Sequence, residues 1–167
     1  MTFHPEQRRA TAALLTDLGW CQGTLHLPPM QSLMDFLNSG SPIVKLTRAR
    51  VPSPPEPFAF VAVRREAIHL VAPTMDELVE TPGAIGHTTP RDVVVLLDAG
   101  RVTGRLEVLR NLRVSDFLRQ QMGLVALREA TFTPHDATDP AATRRFPVAL
   151  VNLARATGVA QTSGNGN

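Results

Sequence analysis

Apolar residues follow two rhythms along this chain. In Ile43-Val44-Lys45-Leu46-Thr47-Arg48, Val44 and Leu46 fall on one face and Lys45 and Thr47 on the other. In Leu124-Val125-Ala126-Leu127-Arg128-Glu129, Val125 and Leu127 are likewise opposed by Ala126 and Arg128. This period of two is that of a strand with one buried side. The segments Leu33-Met34-Asp35-Phe36-Leu37 and Val114-Ser115-Asp116-Phe117-Leu118 instead place apolar residues at i, i+3 and i+4, the spacing of a short helix. Ser115, Asp35 and Asp116 suit its first turn, where a hydroxyl or carboxylate meets free backbone N–H groups.

The two sets of segments are one pattern written twice. Moving 81 residues along the chain gives identity at Leu15/Leu96, Asp17/Asp98, Gly19/Gly100, Gly23/Gly104, Leu25/Leu106, Asp35/Asp116, Phe36/Phe117, Leu37/Leu118, Val44/Val125, Leu46/Leu127 and Ala49/Ala130. Those 11 identities lie within 36 gapless positions (14–49 and 95–130), where chance gives about two or three for such a composition. Gly23 and Gly104 mark a bend or bulge in a strand. The match then loosens. After the Pro-rich loop 52–57, Phe58 aligns with Phe146 only at a spacing of 88, so the second copy carries an insertion of 88 − 81 = 7 residues in its longer loop, 134–145. A final strand, Ala67-Ile68-His69-Leu70-Val71, has a weaker counterpart at 157–161.

Each unit therefore reads strand, strand, short helix, then three strands. Five short bent strands are most economically closed into a small barrel, which removes exposed edges. The expected fold is mainly β: two tandem five-stranded barrel-like units, each with one short helix. The first unit is 1–73 and the second 91–161. A linker, 74–90, has a short helix whose capping box would be Thr74 and Glu77, and 162–167 is a polar, disordered tail.

The Gly-x-Leu strand, the Asp-Phe-Leu helix turn, the Val-x-Leu-x-x-Ala strand and the Phe-initiated hairpin together resemble an uncharacterised bacterial tandem-repeat domain. That resemblance covers most of both units and implies no particular activity. The pattern is also faintly similar to the Sm-like small barrels, whose bent, Gly-containing strand belongs to a closed five-stranded sheet. In those barrels the helix precedes the first strand, whereas here it follows the second. The similarity implies RNA binding.

Composition adds little until it is divided by unit. A 43% hydrophobic content with only 5% aromatic residues and no tyrosine implies an aliphatic core. A polar start, no apolar run of about 18 residues and a single cysteine, Cys21, lead to the expectation of a cytoplasmic protein without a leader, disulfide or membrane insertion. Of 17 basic residues only Lys45 is a lysine. Residues 1–81 hold 7 basic and 8 acidic groups, residues 82–167 hold 10 and 7, so the excess belongs to the second unit. There Arg101, Arg105, Arg110, Arg113 and Arg119 form the candidate basic stripe. Its competing reading is a solvated face paired with Glu107 and Asp116.

Catalytic and metal-binding patterns are lacking. No two histidines have ligand spacing, and His26 and His69 alternate with apolar neighbours as solvent-facing strand positions would. Cys21 answers to Val102 and Ser115 to Met34, so the pattern retains neither nucleophile. Gly100-Arg101-Val102-Thr103-Gly104 lacks the features of a phosphate loop. No catalytic residue, metal or cofactor is expected. The leading expectation is a non-enzymatic protein-binding, self-associating or adaptor module, reached through a sheet edge or one of the two long loops. An Arg-mediated nucleic-acid binder is the runner-up. A third reading is an enzyme using Asp35 and Asp116 in a cleft between the units.

Overall fold

The alternating segments build a mainly β fold of antiparallel strands, five from each half of the chain, in an open arrangement rather than a closed one. The computed structural model describes residues 7–74, 87–121, 123–136 and 138–162. The chain divides into Met1–Thr81 and Pro82–Asn167. The expected linker helix falls on residues 75–86, outside the described residues.

In the first unit β1 (Arg8–Thr16) and β2 (Gly19–Leu27) form a hairpin, α1 (Leu33–Leu37) follows, and β3 (Ile43–Arg50), β4 (Phe58–Arg64) and β5 (Ile68–Pro73) come after it. Their order is β5-β1-β2-β3-β4. The second unit has β6 (Thr88–Leu97), β7 (Gly100–Leu109), α2 (Val114–Gln120), β8 (Leu124–Pro134), β9 (Arg144–Asn152) and β10 (Ala156–Gln161). Its order is β10-β6-β7-β8-β9, the same arrangement. Strand β6 thus begins inside the segment read as linker. Thr162, read as tail, donates its backbone N–H to the Asp92 carbonyl oxygen at 3.0 Å.

Residues 81 apart occupy equivalent places. Leu14 pairs with Cys21 and Val95 with Val102; Leu46 pairs with Val61 and Leu127 with Ala149. The motif Val-x-Leu-x-x-Ala has a definite backbone cause. Val44, Leu46 and Ala49 are all buried, although the last step is three residues rather than two. The extra residue is a bulge: Thr24 pairs with Thr47 and Gln22 with Arg50, so Arg48 and Ala49 oppose Gly23 alone. Arg48 takes the left-handed conformation (φ 49°), as does Glu129 (φ 50°) opposite Gly104. A Cβ on Gly23 would lie 3.0 Å from Leu46 Cβ, and one on Gly104 would lie 3.0 Å from Leu127 Cβ. The two glycines are thus fixed by close strand approach at a bulge.

The buried side chains are mostly aliphatic in both halves of the chain. Leu14, Leu25, Leu33, Leu37 and Leu46 are fully buried in the first, with Val95, Val102, Val108, Leu127 and Leu150 in the second. Helix α1 is closed by Ser32, whose Oγ accepts the Asp35 N–H at 3.1 Å. Arg113 holds the equivalent place at α2 and provides no side-chain cap. Ser115, expected as a cap, lies two residues past the cap position of α2 and is exposed. Among the described residues, no helix is long and apolar enough to cross a membrane.

Candidate binding cleft of the second unit

The strands differ sharply in cover, and those at the two ends of the order, β10 and β4, are the least covered. All six residues of β5 are buried, and so are the last four of β9. Strand β10 has no buried residue and β4 has one, Val63. Counting by strand register, Ile68 pairs with Thr16 as Ala156 pairs with Leu97, and Leu70 with Leu15 as Gly158 with Leu96. The buried Ile68 and Leu70 of the first unit are therefore answered by Ala156 and Gly158. As an end strand, β10 keeps one flank open.

An apolar groove of about 250 Å³ lies there, walled by Leu118, Leu153, Ala156, Gly158 and Val159. Leu118 and Val159 are shared with an adjoining cleft of about 540 Å³, whose other walls include Arg91, Arg110, Asn111, Arg113 and Gln161. Backbone bonds fix this end of the unit. Arg110 N–H donates to the His87 carbonyl oxygen at 3.0 Å, and Leu112 N–H to that of Leu109 at 2.9 Å. The resulting turn carries Arg110 and Arg113 alongside Arg91 of β6, while the Thr162–Asp92 bond holds the end of β10 in place. No carboxylate lines either part, and no ion pair to Arg91, Arg110 or Arg113 occurs among the described residues. The arrangement suits an elongated ligand, anionic at one end and apolar at the other.

The five expected arginines do not form one stripe. Arg105 lies between Asp92 (3.6 Å) and Glu129 (3.3 Å), and Arg119 lies 3.8 Å from Asp116 one helical turn away. Those two belong to a solvated, paired face, though with different acids from the expected Glu107 for Arg105. Arg101 is exposed on β7, where it and Arg105 share a face with Thr103. Only Arg110 and Arg113 enter the cleft. Arg91, their third partner, went unrecognised because it lies ten residues before the stripe. It answers to Ala10, as Arg110 and Arg113 answer to Pro29 and Ser32, so all three are departures from the shared pattern.

Asp35 and Asp116 stand in the first turns of α1 and α2, both accessible to solvent. Phe36 and Phe117, next to them in the chain, are partly covered. His69 corrects the solvent-facing expectation. It is buried, with Nε2 2.7 Å from Asp17 Oδ1. His26 is half-buried, with Nε2 2.7 Å from Thr47 Oγ1. Cys21 is buried with its Sγ 3.6 Å from Thr16 Oγ1. Among the described residues no group of three or more His, Cys, Asp or Glu could hold a metal ion. Compared with protein-family models, curated proteins and solved structures, the chain matches none.

Proposed function

We propose that this chain is a non-enzymatic protein-binding and assembly module, built from a duplicated β unit, that takes an added strand along β10. The observation that carries this reading is the state of β10 itself. Its six residues, Ala156-Thr157-Gly158-Val159-Ala160-Gln161, include no proline and no charge, and none of them is buried. Exposed edges are normally guarded by lysine, proline or shortened strands, because their free N–H and C=O groups template another strand. An unguarded edge beside a groove is the arrangement used in recognition by strand addition, where backbone bonds give affinity and side-chain pockets give selectivity.

The bulges at Gly23 and Gly104 bend their strands, which supports the reading of each half as a small rolled, barrel-like unit that stays open at one outer strand. The single cysteine supports a reducing, cytoplasmic setting. Fractionation of native extract by size tests the function. The chain is expected in a discrete complex heavier than its own 18.1 kDa. Recovery only as an unaccompanied monomer would contradict it.

A further inference from the structure

The reading of β10 as a strand-addition edge leaves its occupant open, and the other uncovered strand supplies one. We infer that β4 of a second copy of this chain lies antiparallel along β10, so that copies join head to tail. This rests on the proposed function and goes beyond it by naming the partner.

Strand β4, Phe58-Ala59-Phe60-Val61-Ala62-Val63-Arg64, is apolar up to its last residue. Phe58, Ala59 and Phe60 are all exposed, so both faces of the strand are open to solvent. Phe60 is 58% exposed and is touched from its own sheet by Lys45, whose Nζ lies 5.4 Å from the ring centroid. A bare aromatic edge strand is an aggregation hazard unless something covers it.

Direction and charge choose β10. Its C-terminal end, Gln161, borders the Arg91, Arg110 and Arg113 cleft, and its N-terminal end, Ala156, borders the apolar groove. In an antiparallel pairing the start of β4 meets the C-terminal end of β10. Glu56, two residues before β4, then arrives at the three arginines. Pairing Phe60 with Gly158 sets Phe58 against Ala160 and Ala62 against Ala156. The Phe60 ring then covers a glycine whose only near neighbour on that side is Leu96, itself 41% exposed. An aromatic across from a bare edge glycine is a favourable cross-strand pair. Ala59 and Val61, on the other face, turn toward the groove walls Val159 and Leu118. A parallel alignment would bring Glu56 to the apolar end and set Arg64 and Arg65 against the three arginines, with Glu66 already paired to Arg64 at 2.6 Å. The joined surfaces are different on the two copies, so the contact is heterologous and builds chains or closed rings.

Sedimentation velocity of the purified full chain over a concentration series tests the inference, with Phe60→Lys and Gly158→Lys as variants. Both sites have room for a lysine, and circular dichroism checks that the folds are retained. The wild type is expected to form species beyond the monomer. Each variant alone raises the concentration needed for assembly by about tenfold or more, since an inward charge blocks an edge. Mixed together, the two variants form a 1:1 dimer that grows no further, because each retains the edge the other has lost. Glu56→Arg weakens assembly, and Arg113→Glu on the other copy restores it. A wild type that stays monomeric throughout overturns the second copy as partner. If native extract still shows a complex, the proposed function survives that result with a different protein on β10. Assembly unaffected by both variants, or oligonucleotide binding through Arg91, Arg110 and Arg113 without self-association, also overturns the inference.

Discussion

Arg48 and Glu129 adopt a backbone conformation that side chains other than glycine seldom take, in the middle of otherwise regular strands. Left-handed geometry costs an ordinary residue about 1–2 kcal/mol, against about 0.5–1 kcal/mol for the extra freedom glycine loses on folding. Arg48→Gly and Glu129→Gly are therefore expected to leave the urea midpoint unchanged or raise it slightly. Gly104→Ala acts in the opposite sense. Its Cβ would press on Leu127 Cβ at 3.0 Å and the Arg128 carbonyl oxygen at 3.1 Å, at a cost of about 1–3 kcal/mol in the same experiment. The bulge was legible in the two retained glycines, whereas the left-handed residues opposite them, Arg48 and Glu129, were not. The Asp17–His69 bond was not. It joins residues 52 apart, and strand alternation alone does not tell a buried polar side chain from a solvent-facing one.

Helices α1 and α2 show how one element was put to two uses. Ser32 caps α1 and is itself buried, so Ser32→Ala is expected to cost about 1 kcal/mol of stability. At the same place α2 has Arg113, which caps nothing and lines the cleft. Arg113→Ser should raise the melting temperature by restoring a cap, while weakening assembly by removing a cation from the cleft. A variant that lost stability and kept full assembly would show that Arg113 serves the fold instead. Strand and helix positions were readable from apolar spacing. The inserted capping site at Ser115 was misread because the pattern fixes the apolar face of a helix more firmly than its first residue. Equally unreadable was the contrast between β5 and β10, since exposure depends on neighbours distant in sequence.

At the scale of the whole molecule, the units differ in charge, −1 for residues 1–81 and +3 for residues 82–167. Head-to-tail joining sets the acidic start of β4 against the basic end of β10. Assembly should weaken as ionic strength rises, because both the Glu56 loop and the arginine cleft are open to solvent, where salt screens charge over about 10 Å at 0.1 M. Apolar burial along the strands should keep some association at high salt. Of the five arginines gathered by sequence proximity, folding sets Arg110 and Arg113 in the cleft with Arg91 of β6 and leaves Arg105 and Arg119 in surface pairs. Differences between the matched halves were the better guide, since Arg91, Arg110, Arg113, Ala156 and Gly158 all stand where the first unit has another residue.

Amide hydrogen exchange reads the proposed strand pairing at its own backbone. Measured on the purified chain at low and high concentration, it should show added protection at β4 and β10 as concentration rises, with the central strands β2 and β7 unchanged. Protection at β4 and β10 that does not vary with concentration would contradict the account.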